Sequence, residues 1–136
     1  RILDESDVLV LSAPETPETR GLLNAEALAR LPDGALVVNV GRGGLVVLDD
    51  LVAELRAGRL RGAALDVFPQ EPLPEDHPLW GLPNVLLTPH VSAVTDAFWE
   101  RETELILHNL GCYLDGDDAG ALASPWRNVV DKEAGY

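Results

Sequence analysis

Several features that would fix a functional class are missing from this chain of 136 residues. It has one cysteine, Cys112, so an internal disulfide is excluded and we expect a reducing, cytoplasmic location. No apolar run approaches the ~20 residues that span a membrane, and the N-terminal run RILDESDVLV does not have the form of a secretory signal. Methionine is absent even from position 1, so we expect a fragment of a longer protein.

Basic residues are scarce as well. Ten lysines and arginines stand against 23 aspartates and glutamates, which gives a net charge of −13. Phosphate backbones repel such a chain, so we expect no nucleic-acid partner. An anionic substrate would need a local positive group to offset this field, which makes each buried or constrained arginine of interest.

The pattern that is present alternates short apolar runs with helical segments. We predict strands at 8–11, 35–40, 62–67 and 85–87, and helices at 25–31, 48–57 and 95–114. The continuous apolar run at 8–11 is typical of a strand buried on both faces. Strands that alternate with helices through short connections predict an α/β fold with a parallel sheet covered by helices.

Small or polar residues follow four successive strands. In open parallel sheets, ligands bind beyond the carboxyl ends of the strands, and these ends share one edge. Small or polar residues after four strands at one edge indicate a binding site more strongly than such residues after a single strand. The residues concerned are Ser12, Ala13, Pro14, Val40, Gly41, Arg42, Asp66 and His90.

Arg42 lies among glycines in the run NVGRGGLV. Glycines allow the backbone to approach a ligand closely, and a guanidinium matches a carboxylate in a bidentate manner. The alternative is a solvated surface arginine. The run is not a phosphate-binding fingerprint, because GxGxxG is absent from the whole chain.

His90 follows a buried strand and a proline, which fix its position. His77, in a polar loop, and His108, on a predicted helix, we interpret as structural. An imidazole that transfers protons needs a partner that holds one tautomer and favours its charged form. Glu71, set before Pro72 in a proline-rich loop, is the candidate, and a solvated loop acid is its alternative interpretation.

Asp66 ends the apolar run GAALDV. Its carboxylate could cap a neighbouring turn or bind the amide of a nicotinamide ring, and the residues alone leave both open.

Four runs of this sequence closely resemble the D-isomer-specific 2-hydroxyacid dehydrogenases: PETPETRGLLN, LPDGALVVNVGRGGLV, LDVFPQEPLPEDHPLW and VLLTPHVSA. The ordered set NVGRG, DVFPQEP and TPH is highly specific, and the resemblance covers roughly the first two-thirds of the chain. The C-terminal run EAGY is similar to the glyoxylate/hydroxypyruvate reductase branch.

The resemblance implies an oxidoreductase that transfers a hydride between NAD or NADP and a small 2-oxo or 2-hydroxy acid, such as glyoxylate or hydroxypyruvate. It implies that Arg42 binds the substrate carboxylate and polarises the carbonyl, that His90 is the acid/base, and that Glu71 is its partner. No metal is implied, and a homodimer is expected. The residues that would line the cofactor are Ala13, Pro14, Thr19, Val40, Gly41, Arg42, Asp66, His90 and Ser92, with Asp66 at the nicotinamide amide.

The resemblance also implies a domain organisation. Residues 1–114 would form the second half of a doubly wound, Rossmann-like dinucleotide-binding domain, and residues 115–136 a C-terminal tail that packs on the substrate domain. The glycine-rich phosphate loop and the residue that selects NAD or NADP are expected N-terminal to Arg1, as is nearly all of the substrate domain. The free edge of the first strand would then make the chain alone self-associate and bind cofactor poorly.

Two alternatives remain open at this point. A regulatory module that binds NAD(H) without catalysis is compatible with the same fold, as is an inactive fragment. Formate dehydrogenases belong to the same family, but they pair the histidine with glutamine, so a Glu71–His90 pair favours hydroxy-acid chemistry.

Overall fold

A computed structural model describes residues 1–119 and 124–133 of the chain. It divides into two compact units, Arg1–Ser92 and Ala93–Tyr136. Residues 120–123 of the expected tail, and the last three residues of the EAGY run, lie outside the described residues. The boundary expected between residues 114 and 115 stays a prediction.

The order of elements follows the sequence pattern closely. The strands are β1 (Val8–Leu11), β2 (Leu36–Asn39), β3 (Gly62–Leu65) and β4 (Val85–Leu87). The helices are α1 (Ile2–Glu5), α2 (Ala25–Ala29), α3 (Leu48–Arg56) and α4 (Phe98–Asp115), with 3-10 turns at Gly43–Leu45 and Pro78–Gly81. Most predicted elements are confirmed with ends that match or lie one or two residues inside the predicted ones, whereas α4 begins three residues later than predicted.

The four strands form one parallel sheet in the order β1-β2-β3-β4. Leu9 lies opposite Val37, which lies opposite Ala63, so these side chains share one face. All crossovers therefore run in the same direction, and right-handed connections place them on the same side of the sheet. The predicted α/β class is confirmed: this is a Rossmann-like half-sheet with flanking helices.

The hydrophobic core fills the space between this face and the crossover helices. Strand residues Leu9, Leu11 and Val37 pack in one cluster with Leu28 of α2 and Leu51 of α3. Asn24 caps α2, because its side-chain oxygen accepts a hydrogen bond from the Ala27 amide at 3.1 Å. Burial of these leucines ties the sheet to its helices and so fixes the strand ends relative to one another.

The prediction that β1 is buried on both faces is wrong. Val8 and Val10 are 48 % and 55 % exposed, while Leu9 and Leu11 are buried. Leu86 of β4 is 64 % exposed. An apolar run indicates that a strand can be buried on both faces. Burial of the second face also requires other elements that pack against it. Within the Arg1–Ser92 unit, both crossover helices lie against the other face.

The second unit contains α4. The helix ends at Gly116, whose φ of 78° is the left-handed conformation that favours glycine. Cys112 is buried, and the ring of His108 hydrogen-bonds the Pro125 carbonyl at 2.8 Å, in keeping with a structural role for both. Three apolar side chains of this helix are exposed: Ile106, Leu110 and Tyr113. In the parts of the chain that the structure describes, no helix has the length and apolarity that crossing a membrane requires.

Candidate active site

A recess of about 300 Å³ opens at the carboxyl-end edge of the sheet. Arg42, Glu71 and His90 all line it, although the first and the last lie 48 positions apart in the sequence. The structure therefore brings together the three side chains on which the sequence analysis depends. The remaining lining residues are Glu15, Arg20, Gly43, Gly44, Val67, Phe68 and Pro69.

Asn39 fixes the loop that carries Arg42. This residue ends β2 and is buried, and its side-chain amide donates to the Arg42 carbonyl at 2.9 Å. Its side-chain oxygen accepts from the Gly41 amide at 3.1 Å. A Cβ on Gly43 would lie 1.9 Å from the Phe68 carbonyl carbon, so only glycine lets this loop pack against the backbone that leads to Glu71.

The Arg42 guanidinium retains donors for a ligand. Its Nη1 donates to the Gly41 carbonyl at 2.8 Å, which uses one of five N–H donors. Among the described residues, no carboxylate forms an ion pair with Arg42. A carboxylate that enters the recess can therefore take two parallel N–H donors from this side chain.

His90 and Glu71 form a hydrogen-bonded pair. The ring Nδ1 of His90 lies 2.8 Å from Oε2 of Glu71, and Oε1 of Glu71 accepts from the Phe68 amide at 2.9 Å. The hydrogen bond from His90, followed by that from Phe68, lowers the pKa of Glu71 below its usual value. Because a carboxylate engages Nδ1, Nε2 is the ring nitrogen that remains to exchange a proton with a ligand.

Asp66 holds the turn around His90 from both sides. Its Oδ1 accepts from the Thr88 hydroxyl at 2.5 Å and the Val91 amide at 2.9 Å, and its Oδ2 accepts from the Ser92 amide at 2.8 Å. The Asp66 carbonyl accepts from the His90 amide at 2.8 Å. His90 has a φ of 55°, which a non-glycine residue adopts only when its surroundings enforce it.

The Asp66 side chain carries a buried charge. The residue is 3 % exposed, and burial by itself raises the pKa of its carboxyl group. The hydrogen bonds from Thr88, Val91 and Ser92 together outweigh burial and hold that pKa well below its usual range. Of the two interpretations left open by the sequence, the cap of a neighbouring turn is present; contact with a nicotinamide amide stays a prediction.

The other residues expected to line a cofactor also lie at strand exits. Ala13 and Pro14 follow β1, and Thr19 returns to this point because its hydroxyl donates to the Pro14 carbonyl at 2.8 Å. Val40 and Gly41 follow β2, and Ser92 belongs to the turn that Asp66 holds. Their roles in cofactor binding stay predictions.

A second cavity of about 450 Å³ adjoins the Glu71–His90 pair. Its walls are largely apolar, and they include Phe68, Leu73 and Trp80. The indole nitrogen of Trp80 donates to the Pro74 carbonyl at 2.8 Å, which fixes this ring beside the proline-rich loop. The pair thus has apolar surroundings on one side and the charged recess on the other.

Sequence reasoning missed three residues of this site: Asn39, Thr88 and Glu15. A polar residue at the end of the apolar run LVVN was a signal for Asn39, because buried side-chain amides need partners. Thr88 stands two residues before His90 and marks the same turn. Glu15, between two prolines of a polar loop, gave no signal. Across 1–119 and 124–133, no group of three histidine, cysteine or acidic residues is placed to hold a metal ion.

The comparison with known families decides the identity of the domain. A sequence profile of the D-isomer specific 2-hydroxyacid dehydrogenase, NAD binding domain, matches residues 1–92. The chain belongs to the D-isomer specific 2-hydroxyacid dehydrogenase family. The family predicted from the motifs is therefore confirmed, and the matched residues coincide with the unit that contains Arg42, Glu71 and His90.

Solved structures of this family superpose on the chain. A D-isomer specific 2-hydroxyacid dehydrogenase from Xanthobacter autotrophicus Py2, in complex with NADPH and MES, is 42 % identical with a TM-score of 0.82, and the match covers 98 % of this chain and 52 % of that one. An NADPH-dependent glyoxylate/hydroxypyruvate reductase from Sinorhizobium meliloti, in complex with NADP and sulfate, is 38 % identical with a TM-score of 0.84, covering 98 % and 41 %. The chain thus spans about half or less of the length of these relatives.

Proposed function

We propose that this chain provides the substrate-binding and proton-transfer residues of an NAD(P)-dependent D-2-hydroxyacid dehydrogenase that reduces a small 2-oxo acid such as glyoxylate or hydroxypyruvate. One observation carries the proposal: a single recess holds the Arg42 guanidinium, which pairs with no carboxylate among the described residues, beside the hydrogen-bonded pair of His90 and Glu71. The Sinorhizobium meliloti relative, a glyoxylate/hydroxypyruvate reductase, supports the choice of substrates.

The residues at the strand exits fit a nicotinamide. Oδ2 of Asp66 accepts a hydrogen bond from the Ser92 amide, and a carboxylate oxygen has capacity for a further donor such as a carboxamide. Backbone at Ala13–Pro14 and Val40–Gly41 would flank the same group. A bound reduced nicotinamide supplies the hydride. The relatives that were solved with NADPH or NADP support these cofactors, and the family domain supports NAD, so the proposal includes both.

Arg42 would bind the substrate carboxylate through two parallel N–H donors and so orient C2 of the 2-oxo acid. His90 would donate the Nε2 proton to the carbonyl oxygen while C2 accepts the hydride, which converts the carbonyl group to an alcohol. Glu71 holds the opposite ring nitrogen and so stabilises the imidazolium. General acid catalysis of this kind contributes roughly 10²–10⁴-fold.

The hydrogen bond between Glu71 and His90 separates this reaction from formate oxidation. Formate loses a hydride without a hydroxyl proton to transfer, so its oxidation needs no charged acid/base pair. Reduction of a 2-oxo acid consumes one proton in each turnover. The observed pair therefore favours hydroxy-acid chemistry.

A homodimer, a cytoplasmic location and the packing of residues 115–136 on a substrate domain complete the proposal. The single cysteine is compatible with the location.

Turnover of the intact protein tests the proposal. NADH or NADPH is mixed with glyoxylate, hydroxypyruvate or pyruvate, and the loss of reduced nicotinamide absorbance is followed. We expect turnover with at least one pair, a large loss of kcat/KM in Arg42→Gln, and an unchanged rate in Arg56→Gln, an exposed arginine of α3. Cofactor binding without turnover of any 2-oxo acid would favour a regulatory module instead.

A further inference from the structure

Glu15 is an acidic residue in the recess that has no part in the proposed chemistry. It follows the exit of β1 and lines the same space as Arg42 and His90. Its Oε2 accepts from the Gly44 amide at 3.1 Å, and its Oε1 pairs with Nη2 of Arg20 at 2.8 Å. The side chain is 24 % exposed, so the carboxylate belongs to the wall of the recess rather than to open solvent.

Gly44 makes room for this carboxylate. A Cβ at position 44 would lie between 2.3 and 2.5 Å from the carboxylate atoms of Glu15, inside their contact distance. Any side chain at position 44 would therefore push the carboxylate away. Positions 15 and 44, which are far apart in sequence, act as a matched pair.

Glu15 lines the same recess as the two side chains proposed to bind the substrate, so a bound substrate would lie near it. The recess has a volume of about 300 Å³, and Arg42, His90 and Glu15 all line it. C2 of a 2-oxo acid carries three groups, of which the carboxylate is directed to Arg42 and the carbonyl oxygen to His90. The third group, which begins with C3, would then lie against other residues that line the recess, and these include Glu15.

We propose that Glu15 selects the group on C3 of the substrate: it accepts a hydrogen bond from a C3 hydroxyl and repels a second carboxylate. The inference rests on the proposed function and names its substrate class as 2-oxo acids with a hydroxylated, uncharged C3, such as hydroxypyruvate. Each carboxylate oxygen that bonds Gly44 or Arg20 has capacity for a second donor. A hydrogen bond to a charged acceptor is among the stronger ones in proteins.

Arg20 does not cancel this selection. Its side chain is 73 % exposed, so water screens its charge more than that of Glu15. A second substrate carboxylate inside the recess would lie beside two acidic residues, Glu15 and Glu71. Of the two arginines that line the recess, Arg42 would bind the first carboxylate and Arg20 is already paired with Glu15. Oxaloacetate is therefore expected to be a poor substrate.

Substrate ratios in the intact protein test the proposal. The kcat/KM values for hydroxypyruvate, pyruvate and oxaloacetate are measured in the natural protein and in Glu15→Gln. We expect hydroxypyruvate to exceed pyruvate at least tenfold and oxaloacetate to be the poorest of the three. In Glu15→Gln, the ratio of oxaloacetate to pyruvate should rise about tenfold, and the ratio of hydroxypyruvate to pyruvate should fall severalfold.

Two further variants make the test specific. Glu18→Gln is the matched control, because Glu18 lies in the same loop, bonds the Thr16 hydroxyl and does not line the recess. Its substrate ratios should stay unchanged. Gly44→Ala should displace the Glu15 carboxylate and shift both ratios in the direction of Glu15→Gln while the charge of the protein stays the same.

Equilibrium binding gives a readout without turnover. We expect D-glycerate to bind more tightly than D-lactate, as followed by tryptophan fluorescence, and Glu15→Gln to remove most of the difference. Unchanged ratios in Glu15→Gln, with pyruvate still turned over, would overturn the inference and leave the proposed function intact. An equal loss for all three acids together with weaker cofactor binding would also overturn it, because Glu15 would then act on the cofactor. Absence of turnover with every acid would overturn the proposed function itself.

Discussion

The loop that carries Arg42 and the turn that carries His90 are built on the same plan. In each, a buried polar side chain at a strand end bonds the backbone around the functional residue: Asn39 in the first, Asp66 in the second. Both functional residues lie where the parallel strands end. The strand determines where the loop begins at this edge, but a buried hydrogen-bonding group is needed to hold the loop in one conformation.

The two regions differ in the hydrogen bonds made by the side chains of His90 and Arg42. The ring of His90 is bonded to Glu71, whereas the Arg42 guanidinium bonds the carbonyl of its own neighbour, Gly41. In the proposed reaction, the proton donor would thus be oriented before a substrate arrives, and the guanidinium would keep most of its donors for the substrate carboxylate. The difference fits the proposal, because proton transfer requires a short, directed path and therefore a side chain whose orientation is already fixed.

The largest effect is expected from removal of the imidazole. His90→Ala should lower kcat by roughly 10²–10⁴-fold with little change in KM, because Arg42 still binds the carboxylate. Steady-state kinetics of the intact protein measure this. His77→Asn is the control, since His77 caps a 3-10 turn by accepting from the Leu79 amide and asparagine can do the same. A His90→Ala variant with near-normal turnover would contradict the assigned role.

The next effect concerns the guanidinium. Arg42→Lys keeps the charge but loses the bidentate fork, so kcat/KM should fall roughly 10- to 100-fold, the size of one hydrogen bond to a charged group at ~1.5–3 kcal/mol. The measurement is the substrate dependence of the initial rate. Arg56→Lys, on the exposed side of α3, should behave as the natural protein. If lysine served equally well at position 42, recognition of the carboxylate by a fork would be wrong.

Two variants, one in each loop, test whether Asp66 and Asn39 act separately on His90 and on Arg42. Asp66→Asn should lower kcat by a larger factor than it changes KM. The reason is that an amide nitrogen would face the Ser92 amide and loosen the turn around His90. Asn39→Ala should raise KM more than it lowers kcat, because it releases the loop of Arg42. The kinetic constants of both variants measure the split, and the same split in both would show that the anchors are not specific to their loops.

The same Asp66→Asn variant should alter the pH dependence of stability. Loss of the buried hydrogen bonds should lower the free energy of unfolding by ~1–3 kcal/mol at neutral pH. The folded-state pKa of Asp66 is lowered, so its contribution is complete above the unfolded value of about 4 and is lost as the pH falls through the folded value. Urea titrations should therefore show the gap between natural protein and variant closing below about pH 4. A gap that widened in acid would contradict the ionised state.

The smallest effect concerns the exposed sheet face. The chain studied alone should self-associate through β1 and its exposed valines, and Val10→Lys should reduce this association. Light scattering measures it, with Val94→Lys as a control outside the sheet. Cofactor affinity of the chain alone should be poor. A single monomeric species at all concentrations would contradict the first expectation.

The strands and most of the helices could be predicted from the sequence, because apolar periodicity is a local property. The convergence of Arg42, Glu71 and His90 could be predicted as well, because the carboxyl ends of parallel strands lie at one edge of the sheet. It failed for β1, since the run Val8–Leu11 is the same whether or not a second layer covers it. The anchoring by Asn39 and Asp66 is a tertiary property: a polar strand end indicates that partners exist, but only the fold shows which amides they are. The contact of Glu15 with Gly44 depends on how two loops meet, which spacing does not encode.

Isotope transfer tests the central claim most directly. Intact protein is incubated with reduced nicotinamide cofactor deuterated at C4 and with hydroxypyruvate or glyoxylate, and the product is examined by mass spectrometry and NMR. We expect deuterium at C2 of the 2-hydroxy acid, of D configuration where C2 is a stereocentre, and no transfer in Arg42→Gln at the same substrate concentration. Bound cofactor that transfers no deuterium to any 2-oxo acid would contradict a hydride-transfer site at this edge of the sheet.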